Sequence, residues 1–201
     1  MYVVAGPNGA GKSTFTSRAR LVLGVAPIDA DAIQRETGLS SATAWAEGLR
    51  QCRQAIDEGK TFLVETTLAG RDALRPSTYL TLMVEAKSRG FRVDLTFIAL
   101  ENADAHVARV ADRVAAGLHD IPERAIRDRY ERSLKRAAAA LSIADHAVLI
   151  DNSSIVRPFR PIAEIENGRL VSSLGPQGRD AVPDVKWVNA VLRSFYSDDN
   201  W

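Results

Sequence analysis

The sequence predicts an α/β fold in which a parallel sheet of five strands is flanked by helices. Short apolar runs alternate with segments of helical periodicity, which is the pattern of β–α–β units. A glycine-rich turn joins the first apolar run to the first helical segment. The C-terminal part departs from this alternation and predicts a β-hairpin followed by a helix.

The five predicted strands are apolar runs bounded by glycine or polar residues. They are Tyr2–Gly6, VAPIDAD at 25–31, Thr61–Thr67, Phe91–Leu100 and HAVLIDNS at 146–153. The predicted helices lie between these runs, and glycine follows several of them as a stop signal. They span residues 12 to about 24, Ser41–Glu58, about Arg71–Arg89, about Ala103–Ala116 and Glu123–Ser142.

The tail has its own signals. Asn167-Gly168 separates two apolar runs within residues 162–173, which predicts a tight hairpin. We therefore predict a core of residues 1–155, with a lid at about 109–136, and a hairpin-plus-helix tail of residues 156–201 packed on it. We expect the tail to cover the sheet edge without forming a site. The final helix places five apolar residues on one face: Val185, Val188, Val191, Leu192 and Phe195.

Bulk composition excludes several classes of protein. Lys and Arg number 26 and Asp and Glu number 25, so a net charge of +1 gives no reason to expect a nucleic acid or membrane partner. Cys52 is the single cysteine, so no disulfide can form within the chain. With no signal-peptide pattern and no apolar run long enough to span a bilayer, we expect a cytoplasmic protein.

The turn after the first strand matches the phosphate-binding loop G-x-x-x-x-G-K-[ST] between a strand and a helix. Glycines allow backbone N–H groups to converge on phosphates, and the helix that follows directs its positive end at the same anion. Lys12 can reach the β- and γ-phosphates, and Ser13 can hold Mg²⁺. We therefore expect a P-loop NTPase-type fold with ATP and Mg²⁺ as cofactors. The expected binding residues are Gly6, Asn8, Gly9, Ala10, Gly11, Lys12, Ser13 and Thr14.

The rest of the chain distinguishes among P-loop classes. The loop spelling is common in ABC ATPases, but the chain lacks an LSGGQ-type signature and a strand ending in Asp-Glu. It also lacks an N-K-x-D-like motif of GTPases. Small kinases remain, and they need an acid at a strand end, an acceptor site and an arginine lid.

Acids follow two predicted strands. Asp29 and Asp31 end the second strand, where an extended backbone would point both side chains the same way, and Asp31 could accept the proton of an attacking hydroxyl. Either acid could instead cap the next helix. Glu65 ends the third strand beside Thr66 and Thr67, where it could hold the water shell of Mg²⁺, bind an acceptor hydroxyl or be an exposed strand-end acid.

Arginines are concentrated in the two predicted helices around Gly117. Guanidinium groups in a helix–loop–helix lid can neutralise charge on a transferred phosphoryl group. Most of these arginines are expected to be solvated surface residues. Arg113 and Arg129 flank the loop and are the expected phosphate clamps.

These segments together resemble the zeta toxin-like P-loop kinases, especially their short stand-alone bacterial members. The matching segments are YVVAGPNGAGKST, IDADAI, ETTLAG, ARVADRVAAGLHDIPERAIRDRYERSLKRA and ADHAVLIDNS, within residues 2 to about 154. The resemblance implies an ATP-dependent kinase, and the best-known relatives phosphorylate a sugar hydroxyl of UDP-N-acetylglucosamine. It also implies an antitoxin protein as a partner.

By matching motif, the resemblance implies a role for each site residue. Lys12 and Ser13 would hold ATP and Mg²⁺, and Asp31 would be the catalytic base. Arg113 and Arg129 would clamp phosphates, while Asp29, Glu65 and Thr67 would lie beside the acceptor. The chain departs from its relatives at Gly117-Leu118-His119, where they tend to have Gly-Gly-His, and at Asp29, where they often have Asn. The alternative to a kinase is an ATP-binding regulatory or interaction module with little chemistry.

Overall fold

The centre of the sheet consists of five parallel strands. The computed structural model describes residues 1–70, 78–115, 117, 120–175, 178–179 and 184–197. The parallel strands lie side by side in the order β2-β3-β1-β4-β5, which confirms the predicted fold class. They are β1 (Tyr2–Ala5), β2 (Pro27–Ile28), β3 (Leu63–Thr66), β4 (Asp94–Ala99) and β5 (His146–Asp151).

The C-terminal hairpin continues this sheet. β6 (Arg160–Glu166) pairs antiparallel with β5, and β7 (Arg169–Gly175) pairs antiparallel with β6. Asn167 and Gly168 both have positive φ, as a two-residue hairpin turn of this hand requires. A two-residue strand, β8 (Gly178–Arg179), pairs with the end of β7. The hairpin therefore occupies the β5 edge by extending the sheet to eight strands in the described part of the chain. The division of the chain into a core and a tail unit stays a prediction.

The helices follow the predicted order with one addition. They are α1 (Lys12–Leu23), α2 (Ala30–Thr37), α3 (Ser41–Asp57), α4 (Thr78–Ser88), α5 (Ala103–Ala115), α6 (Glu123–Ile143) and α7 (Lys186–Ser197). The addition is α2, which has eight residues and fully buries none of them. The start of the predicted helix from about Arg71 lies outside the described residues.

The two faces of the sheet are covered unequally. The larger apolar core joins alternate residues of the strands to side chains of α3, α4, α6 and α7, including Trp187 against Phe97 at 5.7 Å between ring centroids. A smaller cluster around Val4, Ala10 and Ile98 packs with Phe15 and Ala19 of α1 on the opposite face. Because β1 lies between β3 and β4, the loop that leaves β1 reaches the carboxyl ends of both neighbours. Among the described helices, none has the length and apolar character needed to cross a membrane.

Candidate active site

The loop between β1 and α1 depends on glycines at two close approaches. Gly6 has φ +143°, and a Cβ placed there would lie 1.9 Å from the backbone oxygen of Ile98 in β4. Gly11 has φ +91°, and a Cβ there would lie 2.6 Å from Nδ2 of Asn152. Any larger residue would push the loop away from the strand ends. The glycines therefore allow the loop to lie directly against the ends of the strands.

Lys12 is buried at the first position of α1 and is only 8% exposed. Its Nζ donates to the backbone oxygen of Pro7 across 3.1 Å. Burial lowers the pKa of Lys12, while Glu65, Asp31 and Asp29 act in the opposite direction and Arg113 reinforces the lowering. A desolvated ammonium of this kind is stabilised by an anion that takes the place of water. The position therefore suits a phosphate ligand.

Glu65 lies against the start of α1. Its two carboxylate oxygens accept hydrogen bonds from Ser13 Oγ at 2.9 Å and from Thr16 Oγ1 at 3.0 Å. Together these side chains offer several oxygen atoms as metal ligands, and oxygen ligands are those that Mg²⁺ prefers. Ser13 and the next residue, Thr14, are exposed at the loop end of the helix. Thr16 was missed by sequence analysis, although it lies one turn after Ser13 on the same face.

The two acids after β2 have different backbone conformations. Asp29 is extended and caps α2, because its Oδ1 accepts from the backbone N–H of Asp31 at 3.0 Å. Asp31 lies in the first turn of α2 and is exposed. The prediction that both acids lie in one extended segment is therefore wrong, since α2 begins between them. The alternative that one acid caps a helix is correct for Asp29.

The electrostatic surroundings of Asp29 are unfavourable to its charge. Burial raises the pKa of Asp29 to about 6, and the charges of Glu65 and Asp31 add to that rise. The hydrogen bond from Asp31 and the charge of Arg35, 4.0 Å away, oppose it. A further positive group beside Asp29 would therefore stabilise the charged form of its carboxylate.

A cavity of about 420 Å³ joins the loop to β3, α2, α3, α4 and α6. Seven of the predicted site residues line it, namely Asn8, Lys12, Asp29, Asp31, Glu65, Thr67 and Arg129. Arg113 is exposed and does not line the cavity, and it reaches the site only through its charge on Lys12. Sequence analysis missed the further lining side chains Gln34, Ser41, Trp45, Tyr79 and Arg136.

Two arginines connect the helices of the predicted lid to the strand ends. Arg129 Nη1 donates to Oδ1 of Asn8 in the loop across 3.0 Å. Arg109 Nη2 donates to the backbone oxygen of Asn152 across 2.7 Å. Asn152 in turn donates from Nδ2 to the backbone oxygen of Ala10 at 2.9 Å. Sequence analysis did not identify Asn152 as a site residue. Its position as a polar residue directly after β5 was the feature that could have indicated it.

The turn after β3 has a strained backbone held from α6. Leu68 has φ +56°, which is uncommon for a residue with a branched side chain, and it is 0% exposed. Arg136 donates to the backbone oxygens of Leu68 and Ala69, and Ser133 donates to the backbone oxygen of Thr67. Thr67 Oγ1 accepts from the backbone N–H of Ala69 at 3.3 Å. These contacts position the segment ETTLAG as one wall of the cavity.

His106 is a buried link between α5 and the loop. Its Nε2 accepts from the backbone N–H of Leu100 at 3.1 Å, so Nδ1 carries the proton and donates to the backbone oxygen of Asn8 at 2.7 Å. Burial lowers the pKa of His106 to about 4, which keeps the ring neutral. Sequence analysis did not identify this role of His106.

Comparisons with known proteins place the chain among its relatives. The sequence model of the family described as Zeta toxin matches residues 36–160, which excludes the phosphate loop but includes Glu65 and the arginine helices. A protein of Haemophilus influenzae (strain ATCC 51907 / DSM 11121 / KW20 / Rd), described only as an uncharacterized protein, is 30% identical over 130 residues, 62% of this chain and 88% of that protein.

Solved structures share the fold. The chain is similar to a structure of the PezAT chromosomal toxin–antitoxin system of Streptococcus pneumoniae, with 18% identity and a TM-score of 0.53. The likeness covers 75% of this chain and 66% of that chain. A structure from Chloroflexus aurantiacus J-10-fl, proposed to be a kinase, is 17% identical and covers 64% of this chain and 75% of that one, with a TM-score of 0.48, which is too low to support an assignment.

The fold and the site define a P-loop protein of the kinase-like class, with the glycine-rich loop and the cavity at the same strand ends. The chain belongs to the zeta toxin family, as the match over more than half of its residues shows.

Proposed function

We propose that the protein is an ATP-dependent kinase that transfers the γ-phosphate of ATP to a hydroxyl of a small acceptor. The observation that carries this proposal is the cavity that Lys12, Arg129 and Asp31 all line. One cavity thus contains both phosphate-binding cations and a carboxylate able to take a proton. The family resemblance supports a nucleotide sugar such as UDP-N-acetylglucosamine as one acceptor of this kind.

On the nucleotide side, the loop of residues Gly6–Thr14 would hold ATP. The buried Lys12 would bind the β- and γ-phosphates, and its unfavourable burial would be offset by their charge. Ser13, supported by Glu65 at 2.9 Å, would hold Mg²⁺. The ion supplies positive charge that offsets charge on the phosphates when it is bound.

On the acceptor side, Asp31 would accept the hydroxyl proton. The acceptor oxygen forms a bond to the γ-phosphorus while the bond from that phosphorus to the β,γ-bridging oxygen breaks and its electron pair leaves with ADP. The exposed carboxylate of Asp31 has no hydrogen-bond partner for its oxygens within the described part of the chain, so it is open to an acceptor. Glu65 and Thr67 would border the acceptor.

The arginines would act on the transferred group. Arg129 is held at the loop by Asn8, so its guanidinium is already beside the phosphate site. Arg113 would contribute its charge from outside the cavity. Their common effect would be to stabilise negative charge on the phosphoryl group during transfer.

The decisive test is the Asp31→Asn variant. With ATP, Mg²⁺ and a panel of hydroxyl acceptors that includes UDP-N-acetylglucosamine, the unmodified protein should produce ADP and a phosphorylated acceptor. Asp31→Asn should lose transfer by about 10²-fold or more while it binds ATP with unchanged affinity, because a base acts in the chemical step. Glu36→Gln, an exposed position in the same helix, is the matched control.

Failure of transfer to the whole panel would contradict the kinase proposal, whereas equal transfer by Asp31→Asn would contradict the assignment of Asp31 as the base. ATP binding that is indifferent to both variants, without transfer, would support a regulatory ATP-binding module instead. We also propose a cytoplasmic location and an antitoxin partner, in line with the PezAT relative. Expression of the chain alone in a bacterial host should then slow growth, and Asp31→Asn should relieve the effect.

A further inference from the structure

A histidine and two glutamates lie together where the C-terminal hairpin joins the parallel strands. His146 begins β5, and Glu164 and Glu166 lie two residues apart in β6, so both glutamates point to the same face of the sheet. In the antiparallel pairing of β5 with β6, His146 lies directly opposite Glu166. A ring nitrogen of His146 and one carboxylate oxygen from each glutamate all lie within 4.8 Å of one another. Three side chains of metal-binding types thus converge from two strands.

The spacing of these atoms suits a single metal ion. In a tetrahedral zinc site with metal–ligand distances of about 2.1 Å, neighbouring ligand atoms lie about 3.4 Å apart. His146 Nε2 and Oε1 of Glu164 are 2.9 Å apart, so this pair needs only a small separation to admit the ion. Glu166 is exposed, and its side chain can approach the other two ligands by a change of rotamer.

Neither glutamate is paired with a lysine or arginine. Glu164 contacts His146 and, at 3.5 Å, the hydroxyl of Ser172. Arg169 lies opposite Glu166 in the pairing of β6 with β7. Within the described part of the chain, however, the carboxylate of Glu166 forms neither an ion pair nor a hydrogen bond. Both carboxylates are therefore available as ligands.

Asp94 occupies the outer position that a metal-bound histidine requires. It lies opposite His146 in the pairing of β4 with β5, on the side away from the glutamates, and its Oδ1 is 3.7 Å from Nδ1 of His146. A small rotation of the ring would make this contact a hydrogen bond from Nδ1–H, which leaves the lone pair of Nε2 for a metal. Histidine ligands in zinc sites commonly donate to a carboxylate in this way.

The arginine beside Asp94 leaves this arrangement intact. Arg92 Nε donates to Oδ1 of Asp94 at 3.0 Å, and its side chain is 68% exposed. It interacts with Glu166 only through charge. The side chain of His146 is 23% exposed, so the ring is held between its neighbours with one edge open to solvent.

The ligand types distinguish among metal ions. An imidazole with two carboxylates suits Zn²⁺, whereas Mg²⁺ and Ca²⁺ prefer ligand sets made of oxygen alone. Three protein ligands leave a fourth tetrahedral position, which water can occupy from the solvent side.

From this combination we propose that His146, Glu164 and Glu166 bind one Zn²⁺ ion, which fastens the hairpin strand β6 to β5. The ion is bound by a neutral imidazole and ionised carboxylates, and it stabilises the folded chain because its ligands meet only when β5 and β6 pair. His146 and Asp94 begin their strands, whereas the candidate active site lies where the parallel strands end. The zinc site is therefore separate from the cavity and does not depend on the proposed kinase function.

Metal titration of the full chain tests the proposal. After treatment with a chelator and its removal, the protein is titrated with Zn²⁺ by calorimetry at neutral pH without nucleotide. We expect saturable binding of one equivalent. Zn²⁺ at about 100 times its Kd should raise Tm by about 5 °C or more, and excess chelator should reverse the rise. Mg²⁺ at the same concentration should give a smaller rise.

Variants assign the binding to named residues. His146→Gln and Glu166→Gln should each weaken Zn²⁺ affinity at least tenfold and remove most of the rise in Tm. Glu166→Gln is the safer of the two for folding, because its side chain is exposed. Glu36→Gln, an exposed glutamate in α2, is the matched control and should bind Zn²⁺ like the unmodified protein. Asp29→Asn tests the cavity and should also leave Zn²⁺ affinity unchanged.

Three results would overturn the proposal. The first is the lack of a saturable equivalent of Zn²⁺, and the second is unchanged affinity in both His146→Gln and Glu166→Gln. The third is loss of binding in Asp29→Asn with retention in His146→Gln, which would locate the ion in the cavity. An equal rise in Tm with Mg²⁺ would overturn the assignment to zinc. Phosphoryl transfer enters none of these measurements, so the kinase proposal stands or fails separately.

Discussion

Arg129 in α6 donates from Nη1 to Oδ1 of Asn8 in the phosphate loop, with 3.0 Å between the two atoms. This bond joins the predicted lid to the nucleotide loop through side chains that lie about 120 residues apart in the chain. It places one guanidinium beside the loop that we propose binds phosphate, whereas Arg113 is exposed and is not among the lining residues of the cavity. The two predicted clamps are therefore not equivalent.

Replacement of the clamps should show this difference. Arg129→Met should lower kcat by about 10² to 10³-fold, because a positioned donor to a developing charge is lost. Arg113→Met should lower kcat by less, since its charge acts from outside the cavity. Steady-state kinetics with saturating ATP measures both, and the exposed Arg124→Met is the control. A larger loss in Arg113→Met than in Arg129→Met would refute the assignment.

Stability should depend on pH through Asp29. Its pKa is raised from 3.8 to about 6 in the folded protein, so the fold holds a proton between about pH 4 and pH 6 that the unfolded chain releases. Unfolding free energy from this group therefore falls as pH rises through that window, by about 3 kcal/mol in all. Asp29→Asn removes the effect and keeps the helix cap.

The measurement compares thermal unfolding of the two proteins without ligands at pH 4.5 and pH 7.5. Asp29→Asn should be more stable than the unmodified protein at pH 7.5, with a smaller advantage at pH 4.5. Glu36→Gln should show no such pH-dependent gain. If Asp29→Asn were more stable than the unmodified protein by the same amount at both pH values, the charge of Asp29 would not be the cause of the destabilisation.

The buried His106 should behave as a neutral structural link. His106→Ala leaves the backbone oxygen of Asn8 and the N–H of Leu100 without this partner, which should cost about 1–3 kcal/mol of stability. It should also weaken ATP binding severalfold, because the loop loses a fixed point. Urea unfolding and nucleotide titration measure the two effects. With its pKa near 4, His106 should contribute no pH dependence between pH 6 and pH 8, and loss of a titration there in His106→Ala would count against this account.

The strained turn after β3 should depend on Arg136. Arg136→Met removes the donor to the backbone oxygens of Leu68 and Ala69, so the turn loses support for a residue at φ +56°. We expect a loss of about 1–3 kcal/mol and a higher KM for the acceptor. The neighbouring Lys135→Met, at an exposed position of α6, should change neither quantity. Identical urea midpoints for the two variants would contradict the proposed support.

Local patterns were sufficient for the fold class. Regular alternation predicted the parallel strands, Asn167-Gly168 predicted the hairpin, and glycine spacing predicted the phosphate loop. The helix α2 was missed because it has only eight residues and begins directly after the two-residue strand β2, within the segment that we interpreted as extended. Because α2 begins between Asp29 and Asp31, the two side chains do not have the common orientation that an extended backbone would give them.

Long-range contacts explain what sequence analysis missed in the site. Trp45 and Tyr79 come from helices whose periodicity predicts core packing, and nothing local marks them as cavity residues. Asn152, directly after β5, and His106, in α5, contact backbone atoms of the loop from elements distant in the sequence. Such roles depend on which strand ends meet, and that follows from the strand order rather than from any single motif.

Helix α6 contacts both of the proposed substrate regions through one side. Arg129 contacts the phosphate loop, and Ser133 and Arg136 contact the turn that borders the acceptor. Arg129 and Arg136 lie seven residues apart, which corresponds to about 10 Å along the axis of a rigid helix. A tilt of that helix would therefore shift both contacts at once. Occupancy of either substrate region would then bias the other, so that ATP and acceptor bind with positive and reciprocal thermodynamic coupling.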